Sequence, residues 1–152
     1  MSPSSRANMR ASVAVQADGV RSPVALARLE RVGAIVLRAE KAAAALLSIT
    51  LVTRRRIAAM NRRHLGHAGA TDVISFGFRD PAGAVIGDVY ICPEVASTNA
   101  KRHGVPVREE LMRLVVHGTL HVLGHDHPDG EARMASPMWK RQERLLARAR
   151  SA

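Results

Sequence analysis

Three histidines in the run HGTLHVLGHDH, residues 117 to 127, restrict the fold of this chain more than any other feature. His117 and His121 are four residues apart, so on a helix their imidazoles project from one face. Gly124 can adopt the positive φ with which a helix ends and the chain reverses, and this reversal returns His127 towards the other two. The spacing therefore predicts a metal site on a C-terminal helix and the loop after it.

Three neutral imidazoles are a ligand set typical of catalytic zinc, whose fourth position stays open for water. We therefore predict one zinc ion per chain, bound by His117, His121 and His127, and hydrolysis by a metal-bound water. The alternative is that these are surface or packed histidines without a metal. Two histidines alone would favour that alternative, but the third at this offset, with a glycine between, favours the metal site.

The spacing is also that of the zinc-peptidase signature H-E-x-x-H-x-x-G-x-x-H, with one difference. Gly118 stands where those peptidases have their general-base glutamate. A glycine is compatible with a close approach of the helix to a sheet or to RNA. In the loop, His125 and Asp126 could orient a ligand or the water, or could face solvent. No side chain is thus assigned as the catalytic base.

The charge balance favours a polyanionic partner, because 23 Lys and Arg residues against 13 Asp and Glu give a net charge of +10. Nucleic acid leads the list of such partners. A solvated, arginine-rich surface would give the same composition. The candidate phosphate contacts lie in the basic segment after Thr53 and are Arg55, Arg62 and Arg63.

The sequence has one cysteine, Cys92, which excludes an internal disulfide and predicts a packed residue in a reducing compartment. No apolar stretch approaches the roughly 20 residues of a membrane span. The N-terminus also lacks the apolar region of a secretion signal. We therefore predict a cytoplasmic protein without a membrane interaction.

The hydrophobic pattern predicts a single α/β (α+β) domain over residues 11–152, after a flexible tail of residues 1–10. Strands are predicted at 11–20, 46–52, 71–78 and 84–92. Helices are predicted at 23–43, 54–66, 93–104, from 106 through the histidine pair, and 131–150. The order β-α-β-α-β-β-α-α-α indicates a mixed four-stranded sheet backed by helices.

Three motifs, MNRRHLGHAGATDVISFGF, IGDVYICPEV and LVVHGTLHVLGHDH, with Met134 downstream, resemble the YbeY family of bacterial endoribonucleases over about residues 46–148. The resemblance implies a zinc-dependent, single-strand-specific endoribonuclease with the three histidines as ligands. It implies a role in 16S rRNA 3′-end maturation and ribosome quality control, with an rRNA precursor and the small ribosomal subunit as partners and no small-molecule cofactor. Many members have an arginine in a Y-R-G motif where this chain has Leu65, so no arginine is assigned a catalytic role.

Two alternatives remain open. A zinc metallopeptidase-like hydrolase has the same ligand spacing, although Gly118 and the net charge disfavour it. A non-catalytic ribosome- or RNA-binding protein with a structural zinc is the other, although structural zinc sites usually have four protein ligands.

Overall fold

A four-stranded mixed sheet is the centre of the computed structural model, which describes residues 10–152. The strands are β1 (Ser12–Ala17), β2 (Ala45–Leu51), β3 (Val73–Arg79) and β4 (Val85–Ile91), in the spatial order β1-β2-β4-β3. β1, β2 and β4 are parallel, and β3 is the antiparallel edge strand next to β4. Apart from Arg10, the predicted tail of residues 1–10 lies outside the described residues.

Five α-helices accompany the sheet within residues 10–152, in the predicted order. They are α1 (Leu26–Ala39), α2 (Arg54–Met60), α3 (Pro93–His103), α4 (Val107–Val122) and α5 (Pro137–Arg150). A π-helical turn, Asn61–Leu65, follows α2, and a 3-10 segment, Gly130–Ala135, precedes α5. No helix in this part of the chain is both long and apolar enough to cross a membrane. The predicted fold class is confirmed.

Three helices differ from the prediction in their boundaries. The first helix is shorter than residues 23–43, and the basic segment leaves α-helical geometry after Met60. The last helix begins at Pro137 rather than at Glu131, because Ser136 caps it by accepting a hydrogen bond from the Trp139 backbone N–H at 3.2 Å. Proline at the first helical position has the φ that a helix needs and loses no hydrogen bond there.

The two faces of the sheet differ. One face packs against α1 and α4 in a core that includes Leu47, Ile49 and Val89, and α5 packs across both helices. The other face is covered at one end only, around Ile57, Ile74 and the packed Cys92.

Helix α4 lies close to the sheet because glycines occupy both sides of the contact between them. A Cβ on Gly77 of β3 would lie 2.7 Å from the carbonyl oxygen of Val122. A Cβ on Gly118 would lie 2.6 Å from Cγ1 of Val89, a distance that real Cβ contacts essentially never show. Gly118 therefore marks the close approach of helix to sheet, and this packing fixes the helix that carries two of the histidines.

Candidate metal centre

The three predicted ligands lie together. His117 and His121 are one turn apart on α4, and Gly124, at φ +99°, reverses the chain so that His127 reaches them from the following loop. One ring nitrogen of each lies within 4.8 Å of the others, and the ring centroids are 4.6 to 5.1 Å apart. Within residues 10–152, no other His, Cys, Asp or Glu belongs to this group.

Gln142 of α5 fixes the proton position on His117. Its amide nitrogen donates to Glu143 at 3.1 Å, so its carbonyl oxygen faces Nδ1 of His117 at 2.6 Å. That oxygen can only accept, so Nδ1 carries the proton and Nε2 has the free lone pair. Both side chains are buried.

The other two histidines are oriented by backbone carbonyl groups. Nδ1 of His121 donates to the carbonyl oxygen of His125, and Nδ1 of His127 donates to that of Pro128, each at 2.9 Å. Nε2 is therefore the available ligand atom on all three rings. Tetrahedral zinc with Zn–N of about 2.0–2.1 Å needs nitrogens about 3.4 Å apart, and the ligand nitrogens here lie within 4.8 Å of one another. The residues fit a metal ion.

Burial keeps the ligands in the form that binds metal. Loss of solvation lowers the pKa of His117 to about 4, although its hydrogen bond with Gln142 opposes this shift. Burial also lowers the pKa of His121, against the opposing effect of its hydrogen bond to His125. Both imidazoles are thus neutral near pH 7, as ligation requires.

Glu40, just after α1, supports the site and could not be found from the sequence. One carboxylate oxygen pairs with the His125 ring, and the other accepts from Nε of Arg141 at 2.5 Å. The Glu40 side chain is only 10% exposed. Glu40 thereby anchors His125, whose carbonyl group orients His121. His125 thus contacts His121 through its backbone carbonyl group, whereas its ring contacts Glu40.

Asp126 also supports a ligand, because its carboxylate accepts from the backbone N–H of His127 at 2.8 Å. Both loop residues that the sequence singled out therefore contact the surroundings of a histidine. Neither one belongs to the group of three ring nitrogens.

Arg133 is a second residue that the sequence analysis missed. It borders the narrow space next to His117 and His127, and its guanidinium carbon lies 5.9 Å from the centroid of the Trp139 ring. Its Nε is buried and has no hydrogen-bond partner among the described residues. A guanidinium group beside two histidines of the cluster is a candidate for binding a negatively charged ligand.

The three predicted phosphate-binding arginines lie elsewhere. Arg55 is exposed on α2, and Arg62 and Arg63 are exposed on the π-helical turn. None of them has a salt bridge within residues 10–152, whereas Arg54 pairs with Glu94 and Arg56 with Asp18. None lines the space next to His117 and His127. The structure thus groups the histidines, and these arginines do not border the space beside them.

A family model described as Endoribonuclease YbeY matches residues 19–150. The chain belongs to the YbeY family. A relative named Endoribonuclease YbeY from Anaeromyxobacter sp. (strain Fw109-5) is 40% identical over 142 residues, covering 91% of this chain and 71% of the relative. One of that name from Chromohalobacter salexigens is 38% identical over 119 residues, covering 76% of each chain.

A third relative of that name, from Anaeromyxobacter dehalogenans, is 45% identical over 112 residues, and the match covers 72% of this chain but only 56% of the relative. The solution structure of TM1509 from Thermotoga maritima has the same fold, with a TM-score of 0.62 at 22% identity. That likeness covers 91% of this chain and 89% of the other. The predicted family resemblance is confirmed.

Proposed function

We propose that this protein is a zinc-dependent endoribonuclease that cleaves single-stranded RNA. The observation that carries this proposal is the cluster of three histidines, each with its Nδ1 hydrogen-bonded and its Nε2 left free to bind a metal, in a family of endoribonucleases. Three ligands rather than four favour a catalytic site over a structural one.

His117, His121 and His127 would hold the metal, which supplies, when bound, a Lewis acid that polarises the scissile phosphate and acidifies an attacking water. Around it, Gln142 and the carbonyl groups of His125 and Pro128 hold the rings in the ligating tautomer. These contacts position the ligands before substrate arrives.

Arg133 would bind the phosphate group that is cleaved. Its side chain borders two of the three ligands, and its Nε has no partner within the described part of the chain. A guanidinium group matches phosphate in charge and geometry and stabilises the charge that develops in the transition state. The cation–π contact with Trp139 orients the group.

The peptidase alternative is disfavoured by the packing of α4. A peptidase needs a carboxylate to transfer a proton to the leaving amine, and Gly118 has no side chain and faces Val89. Cleavage of a phosphodiester does not expel an amine. The net charge of +10 also favours an RNA substrate over a peptide.

The proposed cellular role follows the family: maturation of the 16S rRNA 3′ end and ribosome quality control in the cytoplasm, with the small ribosomal subunit as partner. Arg55, Arg62 and Arg63, which are exposed and have no salt bridge within residues 10–152, are proposed to contact RNA phosphates away from the cut.

The test combines metal analysis with cleavage of labelled single-stranded RNA, double-stranded RNA and casein. We expect about one zinc per chain, chelator-sensitive cleavage of single-stranded RNA only, and loss of metal and activity in His121→Ala. Zinc-dependent casein hydrolysis without RNA cleavage would establish the peptidase instead. RNA binding without cleavage at full zinc occupancy would establish the binding protein.

A further inference from the structure

Three large apolar side chains form one exposed row on the face of the sheet opposite α4. Leu46 of β2 pairs with Ile86 of β4, and Ile86 pairs with Phe78 of β3, so the three side chains share a face. They are 45%, 41% and 61% exposed, respectively. We call the surface formed by Leu46, Ile86, Phe78 and the neighbouring Phe76 the open face.

Aromatic residues are concentrated here although the chain has few of them. It contains two Phe, one Tyr and one Trp. Phe76, Phe78 and Tyr90 all lie on this side of the sheet, because Phe76 and Phe78 alternate with Gly77 and Tyr90 pairs with Ile74. The rings of Phe76 and Tyr90 meet edge to face with centroids 6.2 Å apart. Such a surface is suited to stacking of planar groups.

Cations border the open face. The His64 ring contacts the Phe76 ring at a centroid distance of 5.4 Å, which places the π-helical turn with exposed Arg62 and Arg63 at this end. Within the described strands, Asp88, which pairs with Phe76, is the only acidic residue on this face. A ligand with planar groups and negative charge, namely nucleic acid, fits this combination.

The open face and the histidines lie on two sides of one edge strand. Val122, the residue after His121, contacts Gly77, the residue before Phe78. A single RNA strand that is held at the histidines can therefore pass around β3 and reach Phe78.

The size of the apolar row disfavours a stable protein partner. The exposed parts of the three side chains amount to roughly 300 Å², which is an ordinary patch on a monomer. A specific protein interface needs about 800 Å² per partner. Individual bases that stack on Phe78 need much less area.

We propose that the open face binds bases of the single-stranded RNA on one side of the cleavage site, with Phe78 as the main stacking residue. This inference rests on the proposed nuclease function. It adds a binding site that is separate from the histidines and predicts that longer RNA is cleaved more efficiently than RNA that reaches the histidines alone.

The test compares Phe78→Trp, Phe78→Leu and Phe78→Ala with the unmodified chain on RNA of about 4 and about 12 nucleotides. Because Phe78 is exposed, all variants should fold, as circular dichroism can check. For the longer RNA, we expect kcat/KM to fall roughly 5- to 100-fold with Leu and Ala and to be retained with Trp. For the shorter RNA, all four proteins should be alike.

Four results would overturn the inference. Equal cleavage of the longer RNA by all four proteins removes the open face from the RNA path and leaves the proposed function intact. Full activity with Leu but not Ala indicates apolar contact rather than stacking. Self-association that is lost in Phe78→Leu, measured by sedimentation, assigns the face to a second copy of the chain. If neither RNA is cleaved, the proposed function fails. In that case, if Phe78→Leu and the unmodified chain bind the longer RNA with equal affinity, measured by fluorescence anisotropy, the open face is refuted as an RNA-binding site as well.

Discussion

Replacing Gly118 with alanine tests whether the distance between helix α4 and the sheet controls the metal site. The added Cβ would lie 2.6 Å from Cγ1 of Val89 and 3.2 Å from its Cγ2. Val89 is fully buried in the centre of the sheet, so it cannot turn aside into solvent. The helix must therefore move away from β4 or the strand must shift.

The expected magnitude has two opposing parts. Overpacking of one carbon in a rigid core costs about 1–3 kcal/mol. Alanine in place of glycine inside a helix recovers about 1 kcal/mol. Gly118→Ala should thus lower the free energy of unfolding by up to about 2 kcal/mol. In a Val89→Ala background the obstructing methyl groups are absent, and the same substitution should stabilise the protein by roughly 0.5–1 kcal/mol.

The assay is a double-mutant cycle by urea unfolding in the presence of a chelator, repeated as a zinc-affinity measurement by competition. A coupling energy of about 1–3 kcal/mol is expected, and zinc affinity should fall in Gly118→Ala and recover in the double mutant. Gly33→Ala in α1 is the matched control, because its Cβ would meet Val13 Cγ1 at a more tolerable 3.1 Å. Additive effects at Gly118 and Val89 would refute the reasoning.

Four further predictions concern the surroundings of the site. Glu40→Gln should weaken zinc binding about 10- to 100-fold in a competition titration, whereas Glu94→Gln on the surface should not. Arg133→Met should reduce kcat/KM for RNA at least about 10-fold with unchanged zinc content, measured by kinetics and metal analysis. Burial lowers the pKa of His117 from 6.5 to about 4. Between these pH values the His117 ring is therefore protonated in the unfolded metal-free chain but neutral in the folded one. As pH decreases from 6.5 to 4, the free energy of unfolding should therefore fall by about 3 kcal/mol more in the unmodified chain than in His117→Asn, as urea titrations can measure. RNA affinity should decrease as the salt concentration rises. The slope of log affinity against log salt concentration should become shallower by up to about 2 when glutamine replaces Arg55, Arg62 and Arg63.

The sequence predicted the parts of the site that depend on local spacing. His117 and His121 share a helix face, and Gly124 ends that helix, so their relation follows from helix geometry alone. The supporting residues could not be predicted in this way. Glu40 meets His125 across 85 positions, and Gln142 meets His117 across 25, and no periodic pattern marks either contact.

The helix boundaries were likewise predictable only where neighbouring residues determine them. The proline and glycine residues at 93 and 104 set the ends of α3 as predicted, because each acts through its own backbone. Residues 131–135 continue the helical pattern of α5 in sequence but belong to a 3-10 segment instead. This segment carries Arg133 next to the histidines, so one error in the helix assignment fell on a residue of the proposed site.

The packing of α4 also explains why the zinc-peptidase spacing occurs here without its glutamate. Position 118 faces Val89 and Val73, and even the first carbon of a side chain overlaps with the sheet. A glutamate there would have to displace α4, and with it His117 and His121, before its carboxylate could act as a base. The difference from a peptidase is therefore not one missing side chain. It is a helix-to-sheet distance that requires glycine at this position, and the proton transfers of the reaction must be arranged without a carboxylate at position 118.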